Sequence, residues 1–196
     1  EQAVANAISN AKRNGINNAK FFAGDVRLAL PAGEEHEREA LVALVRAARD
    51  EIAARAGVTA PPVLTLTFHP SVDAFGRATG QPWWVSASTR GARIDLLPLA
   101  LLRQQGQVER TIRHEVAHAL VDGALTGKPL WVREGAAIHF ADPASSNAER
   151  PPRVDCPSDL EITRPVSAGA QRDAYGRAAQ CFERQLAEGR SWREVR

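Results

Sequence analysis

The segment Arg113–Leu120 reads R-H-E-V-A-H-A-L, with two histidines four residues apart. Ile112, Val116, Ala119 and Leu120 recur around it at helical spacing. The stretch Val108–Val121 is therefore expected to be a helix with much of its surface buried. On a helix, residues i and i+4 lie one above the other on the same face. His114 and His118 then present two imidazole nitrogens to one point, with Glu115 beside them. Buried polar groups are costly unless something partners them. Gly123 and Gly127 break this helix, and Pro129 leads into a second one, expected from about Leu130 to Phe140. Glu134 arrives there, 16 residues after His118. The glycines let the chain turn back, so the two helices can pack antiparallel and aim Glu134 at the same point.

Two imidazoles and a carboxylate match the ligand preference of zinc, which keeps a fourth position open for water. Glu115 follows the first ligand, where its carboxylate can take a proton from that water. The candidate ligands are thus His114, His118 and Glu134, and the candidate general base is Glu115. The competing reading of the pentapeptide is a helix with exposed polar residues. The buried stripe and Glu134 argue against it.

Strand-like and helical segments follow one another in a simple order. "DVRLALP" (25–31) and "VLTLTFH" (63–69) alternate at period two and read as strands. Between them, Glu34 to Ala56 carries Ala40, Leu41, Leu44, Val45, Ala48 and Ile52 at helical spacing, and Gly57 ends it. Ser71 can cap a short helix through Ala78. A hairpin is expected over 83–97 with Arg90-Gly91 at its turn, and Pro98 starts a helical stretch. Residues 141–160 are rich in Pro and Ser and read as a long loop. A last helix is expected from about Ala170 to Glu188. Strands first and helices last predict an α+β fold rather than a wound parallel sheet. The loop 141–160 and the hairpin are the segments expected to shape a cleft.

The chain has 196 residues and a net charge of +2, with no Lys/Arg run. Nothing suggests a nucleic-acid groove, and no stretch approaches the roughly 18 apolar residues of a membrane span. The sequence contains no Met and starts at Glu1, so it reads as a fragment or processed product. Cys156 and Cys181 are either two free thiols or one disulfide, which would fit an extracytoplasmic protein: secreted, periplasmic or tethered through a missing segment. The oligomeric state is not legible.

Composition shifts near the N-terminus. Five of the six asparagines and two of the three lysines lie within the first 20 positions. Residues 1–24 are therefore set apart as an N-terminal helical segment, and 25–196 as a single domain. The piece N-G-I-x-N, then an aromatic, then G-D resembles a helix–strand fragment of RNA uracil methyltransferases. The glycine-rich cofactor loop of those enzymes is absent, so a surface helix without function is the expected reading.

"HEVAH" and, after a short connector, "WVREGAAIHF" resemble the glutamate-type zincin peptidases, the gluzincins, and most closely the bacterial peptidase-MA-like group. The matching positions are His114, Glu115, His118, Trp131, Glu134, Gly135 and Ala137. The resemblance extends over about 25–196 and implies a thermolysin-like (zincin) fold, with a small mixed sheet packed on the motif helix and a mainly helical part after it. It implies a zinc metallopeptidase acting on a peptide or protein substrate, and the lack of an exopeptidase strand points to an endopeptidase or a specialised amidase. A helix-borne tyrosine stabilises the oxyanion in related enzymes, and Tyr175 in "AYGRAA" is the only tyrosine here. Many relatives place an acidic residue four after the glutamate ligand to orient a histidine. Ile138 stands there instead, and Asp122 or Asp142 are the candidate substitutes. His139 lies about 140° round the helix from Glu134 and is expected to be a core or loop-contact residue. His36 and His69 are expected at the surface. The alternative function is a catalytically inactive zinc-binding domain serving adhesion or assembly.

Overall fold

The computed structural model describes residues 25–142 and 153–196. The helical segment expected over 1–24 lies outside the described residues, as does half of the loop expected over 141–160.

Four strands form one sheet: β1 (Val26–Ala29), β2 (Leu64–Phe68), β3 (Ala87–Arg90) and β4 (Arg93–Leu96), in the order β1-β2-β4-β3. β1 runs parallel to β2 and β2 parallel to β4, while β3 returns antiparallel on the edge. A parallel neighbour needs a crossover connection. The first is helix α1 (Arg38–Ala56), which follows a 3-10 turn at Glu35–Glu37. Its buried residues are Leu41, Val45, Ala48, Ile52 and Ala56, a stripe of helical period that faces the sheet and the motif helix. Ala40, expected in that stripe, is exposed instead. The helix ends where Gly57 takes a left-handed φ of 61°, which a residue with a Cβ adopts only at a cost.

Side chains alternate across a strand, and residues in register share a face. Leu64, Leu66 and Phe68 are buried on one face, beside Ile94 and Leu96 of β4. The opposite face is more polar and partly covered by α2 (Val72–Thr79), whose Phe75 meets His69 edge-on with ring centroids 5.9 Å apart. His69 is therefore not the surface residue expected. Its Nε2 lies 2.9 Å from Asp95 Oδ1, and its side chain is only 12% exposed.

The helical part comprises α3 (Leu99–Gln104), α4 (Val108–Val121), α5 (Leu130–Ala141), α6 (Asp159–Thr163) and α7 (Ala168–Ala187). With α1 and α2 this makes seven α-helices among the described residues, so the molecule is α+β with a small mixed sheet. None of these helices is long and apolar enough to cross a membrane. α6 begins inside the stretch 141–160 that is expected to be loop. Ser158 and Glu161 form a reciprocal capping box at its start, and that pair satisfies two backbone donors. Glu161 is held at a pKa of about 2, first by the Ser158 backbone N–H and then by Arg177.

Two arginines close the far end of α5. A helix leaves its last carbonyls without partners. Arg55 of α1 donates to the carbonyls of His139, Phe140 and Asp142, and Arg113 of α4 donates to that of Ala141 at 2.7 Å. Arg113 is itself paired with Glu51 at 2.8 Å. The helix that carries Glu134 is thus tied at its C-terminus to both α1 and α4. A disulfide, Cys156–Cys181, joins the segment before α6 to α7, so the two cysteines left open by the sequence are bonded.

Candidate metal centre

α4 is the central helix. Thr111, Ile112, Arg113, Glu115, Val116, Ala117, His118, Leu120 and Val121 are all buried on it, while Ala119 is half-buried. It packs against α1, α5, β3 and β4. An enclosed helix tolerates charged and strongly polar residues only where each has a partner, and Arg113, His114, Glu115 and His118 each have one.

The i, i+4 spacing sets the two imidazoles against each other, with ring centroids 4.7 Å apart and planes at 85°. Their Nε2 atoms are 3.1 Å apart. α5 runs beside α4 and brings Glu134 Oε2 to 3.4 Å from each of those nitrogens. The three ligand atoms all lie within 4.8 Å of one another.

His118 Nδ1 lies 3.1 Å from Asp122 Oδ1. With the ring N–H given to that carboxylate, Nε2 keeps a lone pair facing Glu134 and His114. Asp122 is held from its other side by an ion pair with Arg133 of α5. Asp122 is thus the acidic partner of the histidine; Asp142 is exposed beyond the end of α5.

Glu134 Oε2 is buried and receives no hydrogen bond. An unpartnered buried oxygen of this kind costs free energy. It sits against two imidazole nitrogens, and with both rings neutral and their lone pairs turned inward a cation in their midst would satisfy all three. The residues therefore fit a metal ion. The electrostatics point the same way. Burial favours a neutral Glu134, yet His118 and His114 hold its carboxyl far below the ordinary range. Burial likewise opposes charge on His118, and Glu134 and Asp122 raise its pKa well above the usual value. The buried carboxylates thus favour positive charge at this point.

Gly135 follows Glu134 for a steric reason. A Cβ there would fall 2.6 Å from the Phe182 Cβ and 2.7 Å from the Ala178 carbonyl oxygen, both on α7. The missing side chain lets α5 and α7 touch at backbone distance. That contact brings Tyr175 of α7 over His114, with ring centroids 6.2 Å apart and planes at 24°. Burial, then the Glu134 and Glu115 carboxylates, raise the Tyr175 pKa and keep its phenol protonated, against a hydrogen bond with Gln171. The structure thus gathers all five sequence candidates, His114, Glu115, His118, Glu134 and Tyr175, at one place.

His139 points elsewhere, as its position on the helix predicts. Its Nδ1 lies 2.6 Å from Glu183 Oε1 of α7. His36 is exposed beside Glu37. Sequence reasoning missed Thr89 of β3, whose hydroxyl donates to Glu115 Oε2 at 2.6 Å. No signal near the motif points to it, because the contact depends on how the sheet edge lies over α4. Comparison with protein-family models, with curated proteins and with solved structures gives no match.

Proposed function

We propose that the chain is a zinc-dependent peptidase of the gluzincin type, with a thermolysin-like arrangement of a mixed sheet over the motif helix. His114, His118 and Glu134 hold the ion. The observation that carries this reading is the buried Glu134 Oε2, which receives no hydrogen bond and is set 3.4 Å from two imidazole nitrogens. When bound, zinc supplies Lewis acidity toward water and toward a substrate carbonyl.

The chain's own residues supply the rest. Glu115 is 7% exposed on the face of α4 that meets β3. It accepts a proton from the attacking water and delivers it to the leaving nitrogen. Tyr175, kept protonated, donates to the negative charge that develops on the substrate oxygen. Asp122 orients the His118 ring, and Arg133 holds Asp122. The substrate is a peptide or protein, and the disulfide supports an extracytoplasmic location.

Hydrolysis of a quenched fluorescent peptide library is expected to stop with 1,10-phenanthroline and return on adding zinc. Turnover that persists in the metal-stripped protein would refute the proposal.

A further inference from the structure

Residues in register across the sheet share a face. The face turned toward α1 and α4 carries Val26 and Leu28, then Leu64, Leu66 and Phe68, then Ile94 and Leu96, and on β3 Ala87 and Thr89. Every one of these is apolar except Thr89. It stands opposite Ile94, which is fully buried. Val or Ile would fit a strand on such a face better, and a hydroxyl there is costly without a partner. The partner it has is Glu115: Thr89 Oγ1 donates to Oε2 at 2.6 Å, with the Glu115 carbonyl at a more distant 3.4 Å. The shorter distance is that of a charge-assisted O–H···O⁻ bond.

β3 is an edge strand, paired only with β4. The Thr89 side chain does nothing for the sheet ladder, which is made by backbone groups. Its one visible service is to the carboxylate. Held at Oε2, that carboxylate has its rotamer fixed against β3, and Oε1 is left for proton transfer. A glutamate side chain otherwise has three torsions to settle, and misplacement by about 1 Å can cost a factor of about a hundred in rate.

We infer that Thr89 is a positioning residue for Glu115, an inference that rests on Glu115 being the proton acceptor of the proposed peptidase. Thr89 touches no substrate in this scheme. It acts by holding Glu115 where a water or a substrate analogue presents its proton.

The test uses the zinc-loaded protein and acetohydroxamate, a small zinc-binding probe that offers its own proton to a neighbouring base. Affinity is measured by calorimetry in wild type, Thr89→Val, Thr89→Ser and Glu115→Gln. Valine keeps the shape and suits the apolar face, so the variant folds. Thr89→Val should bind the probe about tenfold more weakly, the effect of losing one hydrogen bond to a charged group. Thr89→Ser, which restores the hydroxyl, should return to within about twofold of wild type. Zinc affinity should be the same in all four proteins. If Thr89→Val binds the probe like wild type while Glu115→Gln is weakened, the inference is wrong and the peptidase reading stands. If Thr89→Ser is as weak as valine, shape rather than the hydroxyl is responsible, and the inference is wrong. If Glu115→Gln also binds like wild type, Glu115 is not the acceptor and both fall.

Discussion

Glu115→Gln is expected to lower peptide turnover by about 10²- to 10⁴-fold, the usual contribution of a positioned general base. Zinc content should stay at the wild-type level, because Glu115 is not among the three converging ligand atoms. Glutamine has the same shape, and its carbonyl oxygen can still accept from Thr89, so the fold around α4 is preserved. What it cannot do is take a proton from water. Elemental analysis beside an activity assay separates the two effects. A zinc-binding domain without catalysis predicts a different pattern: Glu115→Gln changes nothing, and His118→Ala lowers thermal stability.

Gly135→Ala should destabilise the protein by about 1–3 kcal/mol or more, the range for overpacking a tight contact. Two effects oppose each other. Alanine is the better helix former, by about 1 kcal/mol. Against that, its Cβ would meet the Ala178 carbonyl oxygen at 2.7 Å and the Phe182 Cβ at 2.6 Å. One of these is backbone, so relief requires α5 and α7 to move apart. The steric cost outweighs the propensity gain. Gly176 supplies the contrast. It lies on α7 with open space where a Cβ would go, so Gly176→Ala should stabilise by about 0.5–1 kcal/mol. Urea denaturation of the two variants checks both signs. Equal effects would mean that the close approach of the helices is not as described. Displacing α7 would also shift Tyr175 from His114, so activity should fall in Gly135→Ala beyond what its stability loss accounts for.

The convergence of His114, His118 and Glu134 was readable because it follows from local rules. Four residues make one helical turn, and the glycines before Pro129 permit a return. The strands were readable from their alternation, since one face is buried. Asp122 was visible as a candidate because it stands one turn beyond His118 on the same helix. Other features depend on where distant elements lie. Nothing near Arg55 or Arg113 announces that they close the end of α5, some 85 residues on in the case of Arg55 to Phe140. Thr89 reads as an ordinary strand threonine until β3 is laid over α4. His69 looked like a surface residue because its partner, Asp95, is supplied by the neighbouring strand β4, one crossover and 26 residues on. The α6 start was a different case: Ser158 and Glu161 form a local capping signal, but the prolines around it outweighed that signal.

The same logic ranks the importance of the three candidate ligands. The histidines share a helix and would sit close together in any fold that kept α4. Glu134 joins them only if α5 packs as described, with Gly135 against α7 and Arg55 and Arg113 at its far end. It is therefore the residue that tests the tertiary arrangement and the chemistry together.

Zinc titration of the metal-stripped protein, wild type against Glu134→Ala, puts that to measurement by calorimetry. Wild type is expected to bind about one equivalent. Glu134→Ala should lose more than the roughly 10- to 100-fold in affinity that follows from losing an outer partner of a ligand. A wild-type chain that takes up no zinc, or a Glu134→Ala chain that binds it as tightly as wild type, would contradict a three-ligand site built from α4 and α5.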